Sequence, residues 1–430
     1  MAKNIYTLPF IVVFVFFINF FAFSETIDSI GKAEETALLN NLDYKTAVLE
    51  VLQAKNDLES FFKVSDSSLS LAGNYAYETN NSDWGWDAAL TLPVIEKLSI
   101  GAEINQDLDT TVSINLSPLA HSSDVETTKL EYQKKIAYAK QVAEETAVSA
   151  VEAYLDWAEA KAALEVKTTT VAVKKTLYED EKVRLDIGES DLDDVRDAFT
   201  EWSDSRTALN TAITTLQSSE TELYQVLNID PEKITIKPPS ENSLKTEIKT
   251  LSDSIDIDSL SISNNYNVLD ADTTVKKLEL ELKNTWIFDP DLSVKSALTI
   301  SQETSTPEIT ATAALSFGLD DWQASDRQEL KSELDISRQQ YTQTIRTEQL
   351  NLQQAKTTSE TAIINYSVAE VELEQAKELL DEAEYLNKIG EYSQAEVDET
   401  ELDYQKSKNS LFSAAADHYT ALRKLKSYSE

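Results

Sequence analysis

Two runs of 64 residues, Asp124 to Ile187 and Asp326 to Ile389, contain neither proline nor glycine. That is the strongest constraint on what this chain can fold into. Nothing in either run breaks a helix, and at 1.5 Å per residue each can extend ~96 Å. The 430 residues hold only 7 Gly and 8 Pro, so turns are few and elements are long.

The runs belong to a repeat. Asn40-Asn41-Leu42-Asp43 opens one helical pattern and Asn264-Asn265-Tyr266-Asn267 another, 224 positions later. Arg184-Leu185-Asp186-Ile187-Gly188-Glu189-Ser190 matches Tyr385 to Ser393, with Gly188 against Gly390 at an offset of 202. Lys129 and Lys331, like Glu131 and Glu333, keep that offset. The first half therefore holds 22 more residues between its two helices than the second.

That intervening segment reads as strand in both halves. Leu69 to Tyr77, Trp86 to Leu92, Leu98 to Asn105 and Thr110 to Leu116 alternate in the first half. Leu292 to Ser301 and Ile309 to Phe317 alternate in the second. The difference is one hairpin, and both counts are even. Strands of ~9–11 residues suit a tilted bilayer crossing. Trp84, Trp86, Trp286 and Trp322 flank them. They fit an aromatic girdle at a membrane interface, or ordinary burial where strand meets helix.

The long helices carry more than one apolar stripe. Ala143, Ala147, Ala150 and Tyr154 make one, and Val148, Val151, Leu155, Ala158 and Ala162 a second. One narrow seam would mean a two-stranded coiled coil. Two seams mean neighbours on both sides, as in a curved wall. Return helices run from about Ser190 to Leu227 and from Ser393 to Tyr428. Gly188 and Gly390 fit the left-handed position that closes a helix. Ser190 and Ser393 fit the following N-caps, with Ser393-x-x-Glu396 a capping box and Ser190-x-x-Asp193 a near miss.

Composition excludes several function classes. With 76 Asp+Glu against 38 Lys+Arg, the net charge of −38 argues against nucleic acid. Hydrophobic residues at 41% and clear periodicity argue against disorder. No cysteine is present, so disulfides and thiolate chemistry are absent. The glycines are too scattered for a phosphate loop. His121 and His418 are the only histidines and lie far apart in sequence. Neither a metal site, a cofactor nor a catalytic constellation is expected.

Leu8 to Phe23 is apolar except for Asn19, behind Lys3, and Ala22-Phe23-Ser24 fits a cleavage site. Residues 1–24 are expected to be a secretory signal peptide. A retained anchor asks for ~20 apolar residues. The remaining chain divides into a first repeat over 25–229, a linker over 230–260 with Pro231, Pro238 and Pro239, and a second repeat over 261–430.

Helix, strands, 64-residue helix, Ile-Gly-x-x-Ser turn and return helix, taken twice behind a signal peptide, resemble the TolC-like outer membrane efflux family. The words Ala153-Tyr154-Leu155-Asp156-Trp157-Ala158-Glu159-Ala160 and Arg184 to Gly188 agree with it. The resemblance covers essentially the whole mature chain. It implies a mainly α fold, with helical hairpins forming a periplasmic α-barrel and strands of a trimeric outer-membrane β-barrel.

It implies a passive channel of a tripartite efflux or type I secretion system, not an enzyme. Its partners would be two further copies, a periplasmic adaptor, an inner-membrane pump and outer-membrane lipid. The turns Gly188-Glu189-Ser190 and Gly390-Glu391 with Ser393 would meet the adaptor. Glu396 and Glu399 match the family's acidic ring at the closed end, and Asp194 an acid of its closing contacts. Glu396 has a capping role as its alternative. At the family's other gate positions this chain has Asn387 and Tyr392, so its closing bonds differ. Six strands per protomer, against the usual four, give eighteen in a trimer, unless one hairpin folds outside the barrel or one of the six stretches is not a strand. The alternative to a channel is a periplasmic coiled-coil spacer without a barrel.

Overall fold

The structure is a computed structural model. It describes residues 26–429 except 61–67, 79–80, 96–97, 106–109, 117–122, 286–289, 301–306 and 318–323. Side chains are described over 26–59, 125–283, 285 and 325–429. Residues 1–24, expected to be a signal peptide, and Trp286 and Trp322 lie outside the described residues, and Trp84 and Trp86 fall within a strand whose side chains are not described.

In the first half, β1 (Thr26–Ile27), α1 (Ile30–Asn40) and α2 (Leu42–Ser60) precede four strands. These are β2 (Ser68–Glu78), β3 (Asn81–Ile95), β4 (Leu98–Asn105) and β5 (Thr110–Leu116). The 64-residue α3 (Ser123–Asp186) and its return helix α4 (Leu192–Leu227) follow. Between the halves lie β6 (Thr235–Ile236) and α5 (Glu241–Asp253). The second half is α6 (Tyr266–Asn284), β7 (Pro290–Ile300), β8 (Pro307–Phe317), the 66-residue α7 (Ala324–Ile389) and α8 (Gln394–Lys426). The six stretches expected to be strands coincide with β2–β5, β7 and β8 to within a few residues, and the long helices start and stop where the proline- and glycine-free runs do.

The chain forms two compact units, each drawing on both repeats. One takes Ala47–Tyr138 with Tyr266–Arg346. It holds a six-stranded antiparallel sheet in the order β2-β3-β4-β5-β7-β8. The seam between the halves is β5 on β7, with Val112 opposite Leu298 and Leu116 opposite Val294. The hairpin that only the first half possesses is therefore part of the same sheet. In this unit's helices, ion pairs join neighbours: Lys134 to Asp270 at 2.6 Å, Lys135 to Glu50 at 2.9 Å, and Lys277 to Glu131.

The other unit takes the chain up to Thr46, Ala139–Asn265, and the chain from Thr347 on. Its core lies where the middle of α3 meets α1, α5 and α8. Ala150, Val151, Tyr154, Leu155 and Ala158 pack with Ile27, Ile30, Ala33, Leu244, Leu223 and Leu422. Both sequence stripes of α3 are used: Ala147, Ala150 and Tyr154 from the first, and Val151, Leu155 and Ala158 from the second, are buried. Two faces of one helix are covered because two sets of neighbours exist.

The stretch between the repeats is more than a connector. β6 pairs in parallel with β1, and α5 buries Leu244, Ile248 and Leu251 in the core. Ser240 caps α5 by accepting from the Ser243 amide, and the apolar spacing of four and three residues points one face inward. The buried Tyr154 hydroxyl donates to the Lys237 carbonyl at 2.7 Å, satisfying a group that burial would otherwise penalise.

Candidate functional site at the helical turns

Each long helix ends in the same way. Gly188 and Gly390 sit at φ +83° and +81°, a conformation that costs glycine nothing and a residue with a Cβ about 1 kcal/mol. The Glu189 amide donates to the Arg184 carbonyl at 2.8 Å and Gly188 to Leu185 at 3.0 Å. Glu391 donates to Leu386 at 2.9 Å and Gly390 to Asn387 at 3.0 Å. These paired bonds satisfy the last carbonyls of α3 and α7 and turn the chain back.

The N-cap of each return helix lies three residues past the glycine. In the second turn the N-cap is Ser393, as the sequence indicates. Its hydroxyl accepts from the Glu396 amide, and the Glu396 carboxylate accepts from the Ser393 amide at 2.7 Å. In the first turn the N-cap is Asp191, not Ser190. Asp191 accepts from the Asp193 and Asp194 amides, and Asp194 accepts from the Asp191 amide at 3.1 Å. The turn geometry counts residues from the glycine, so Asp191 falls where Ser393 does and the acid of the box becomes Asp194 rather than Asp193. Ser190 instead donates to Glu181 at 2.7 Å and to Asp194 at 3.0 Å.

Asp194 and Glu396 are thus equivalent, and both carboxylates are hydrogen-bonded at a helix start. The Asp191 amide, then the Ser190 hydroxyl, hold the Asp194 carboxyl below its usual pKa. The Ser393 amide and hydroxyl do the same for Glu396. Asn387 donates to the Tyr392 carbonyl at 3.0 Å, so these two residues close the second turn on itself.

Glu399 is placed differently. Its carboxylate lies 3.0 Å from the ammonium of Lys174, which lies 3.0 Å from Glu201 as well. One lysine of α3 therefore holds the return helices of both hairpins. Partial burial works against its charge, but the two carboxylates outweigh this and its pKa lies above the usual lysine value. Next to it, Tyr178, Phe199 and Trp202 form an aromatic cluster, with Tyr178 and Trp202 stacked at 5.6 Å.

Lys174 and Glu201 escaped the sequence reading, although a signal existed. At the repeat offset of 202 the counterpart of Lys174 is Ala376. A lysine where the other repeat has a small apolar residue marks a difference between the two hairpins. Among the described residues no cluster of three metal-ligating side chains occurs, and no helix is long and apolar enough to cross a membrane.

No family profile matches the chain, and no curated protein matches it in sequence. Solved structures do match in shape. CusC, which forms a transmembrane channel, superposes with a TM-score of 0.62 at 14% identity, over 94% of this chain and 92% of that one. The CmeC outer membrane channel of Campylobacter jejuni gives 0.58 at 12% identity, over 93% and 85%. The outer membrane protein VceC of Vibrio cholerae gives 0.57 at 13% identity, over 92% and 95%. Identities this low speak for the fold alone. With helices, strands and glycine turns in one order along both repeats, this chain has the fold of the TolC-like outer membrane channels.

Proposed function

We propose that the chain is one protomer of a homotrimeric outer-membrane channel, the passive exit duct of a tripartite efflux or type I secretion system. The observation that carries this is the six-stranded sheet placed between the helices of both repeats, in a chain whose fold is that of outer membrane channels. In the sheet order β2 and β8 are the outer strands. A sheet cannot present open edges to lipid, so β8 of one copy pairs with β2 of the next. Three copies then close an eighteen-stranded barrel.

In this reading residues 1–24 direct secretion and are removed, the helical repeats line a periplasmic passage, and Trp84, Trp86, Trp286 and Trp322 lie at the membrane interfaces. The turns at Gly188, Glu189, Ser190, Gly390, Glu391 and Ser393 meet a periplasmic adaptor linked to an inner-membrane pump. The pump supplies the energy, so the duct needs no nucleotide site. Asp194, Glu396 and Glu399 surround the narrow end. Their acids attract cations while Lys174 offsets part of the charge at Glu399.

The test is insertion of the purified protein into planar bilayers, with heat-modifiable migration in detergent as the companion measurement. Discrete conductance steps and a shift on boiling are expected. A mature protein recovered from the periplasm as a soluble monomer would sink the proposal.

A further inference from the structure

Helix α8 carries one buried seam. Leu411, Ala415, His418, Leu422 and Leu425 follow one another at spacings of four and three, and all are buried. His418 is the polar member, and it is 4% exposed. Such a position ordinarily takes an aliphatic residue. The first repeat has one there: at the offset of 202, His418 corresponds to Leu216. The ring of Tyr366 in α7 stacks on His418 at 6.0 Å, and Tyr366 corresponds to Leu164. Both members of this contact are leucine in the other repeat.

Packing alone does not explain the exchange. Among the described residues, the buried Nδ1 atom of His418 has no hydrogen-bond partner. An unmade bond of that kind costs stability, and a leucine would avoid the cost. What histidine adds is a proton site that responds just below neutral pH.

The contact sits where three helices depend on one another. The Tyr366 hydroxyl is hydrogen-bonded to Glu370, and Glu370 lies 3.6 Å from Lys245 of α5. Helix α5 in turn buries Leu244, Ile248 and Leu251 in the core that holds Ala415, Tyr419 and Leu422 of α8. We propose that His418 is an acid-sensitive latch, which holds α8 to α7 and α5 while it is neutral and loosens them when it takes a proton.

The acids around the junction are engaged elsewhere. Lys245 draws Glu241 and Glu370, and Glu247 accepts from Ser243 at 3.0 Å. Glu34 of α1 and Glu144 of α3 hold Arg423. Asp156 and Glu159 of α3 act on each other and on Asp417, with Glu222 of α4 beside Asp156 and Ser413 bonded to Glu159. Burial is what acts on His418, and it pushes the imidazole below its ordinary pKa of 6.5. A proton there meets only the face of Tyr366, a poor substitute for water around a charge.

The neutral imidazole therefore stabilises the fold fully above about pH 6.5, and this is lost as pH falls through the lower folded value. The neighbouring acids respond with the opposite sign. Burial raises Asp156, Glu159 and Glu247, so acidification relieves their repulsion and tightens the same helices. Loosening in mild acid is thus the signature of His418.

Hydrogen exchange read by mass spectrometry tests this on the full chain in detergent, at about pH 7.5 and about pH 5.5, with intrinsic rates corrected. Segments of α5, and of α7 and α8 around Tyr366 and His418, are expected to exchange several-fold faster at the lower pH. In His418→Leu, which installs the residue of the other repeat, the rise should vanish. If the leucine variant does not fold, His418→Gln carries the same expectation. No rise in the unaltered protein, or an equal rise in a folded variant, overturns the proposal. Neither outcome bears on the channel reading, because the measurement does not depend on conductance.

Discussion

Arg423 and Glu34 are 389 residues apart in sequence and meet at 2.8 Å, guanidinium to carboxylate, in the interior of the helical unit. Glu144 accepts from the same guanidinium, so α1, α3 and α8 converge on one cation. Arg423 is 7% exposed, and burial opposes its charge while the two carboxylates more than compensate. Helices α1 and α8 are thereby fastened to α3.

Removing one side of this network strands buried charge of the other sign. Arg423→Ala is expected to cost about 3 kcal/mol, seen as a lower midpoint in chemical denaturation followed by circular dichroism. Arg423→Lys should recover part of that, because it keeps the charge but not the fork that reaches both acids. Full stability in the alanine variant would show the network to be incidental.

Tyr154 separates packing from hydrogen bonding at one site. Tyr154→Phe loses only the bond to the Lys237 carbonyl and should cost about 1 kcal/mol. Tyr154→Ala also opens a cavity in the core and should cost about 3–5 kcal/mol. The two values come from the same denaturation experiment, and equal costs would mean that the ring contributes nothing by packing.

The turn glycines isolate backbone strain. No atom lies within 4 Å of a Cβ built at Gly188 or Gly390. Gly→Ala at either should therefore cost about 1 kcal/mol through φ alone, and Gly→Asn less. A neutral alanine variant would mean that the left-handed turn is not held in solution.

Both capping carboxylates have pKa values lowered by folding, so their contribution is present above the unfolded values of ~3.9 and ~4.3. It is lost as pH falls through the lower folded values. Amide protection at Asp191 and Ser393, whose N–H groups donate to Asp194 and Glu396, should drop on acidification from pH 5. Protection at Gly188 and Gly390, bonded to backbone carbonyls, should not.

Under the channel reading, alanine at Glu396 and Glu399 weakens block by divalent cations in bilayer recordings. Lys174→Ala should do the opposite, since it releases Glu399, and a part-buried pair of this kind supports roughly a two- to fivefold change. Unchanged block in all three variants would leave Glu396 as a cap and nothing more.

What the sequence determined by itself was everything governed by local physics. Helix extent followed from the missing proline and glycine between Ser123 and Asp186, and strand positions from period-two alternation. Gly188 and Gly390 marked the turns because a left-handed residue is a local demand. The matching helices of the two halves, and the extra hairpin in one of them, were also readable, since a repeat is a property of order along the chain. The tertiary structure alone decided which charges meet. Lys174 reaching both Glu201 and Glu399, Arg423 drawing in Glu34 and Glu144, and α5 turning from linker into core all depend on helices far apart in sequence being brought side by side. Even the N-cap at Asp191 rather than Ser190 was settled by turn geometry, because Ser190 and Asp191 are both competent caps and only the fold says which one faces the open amides.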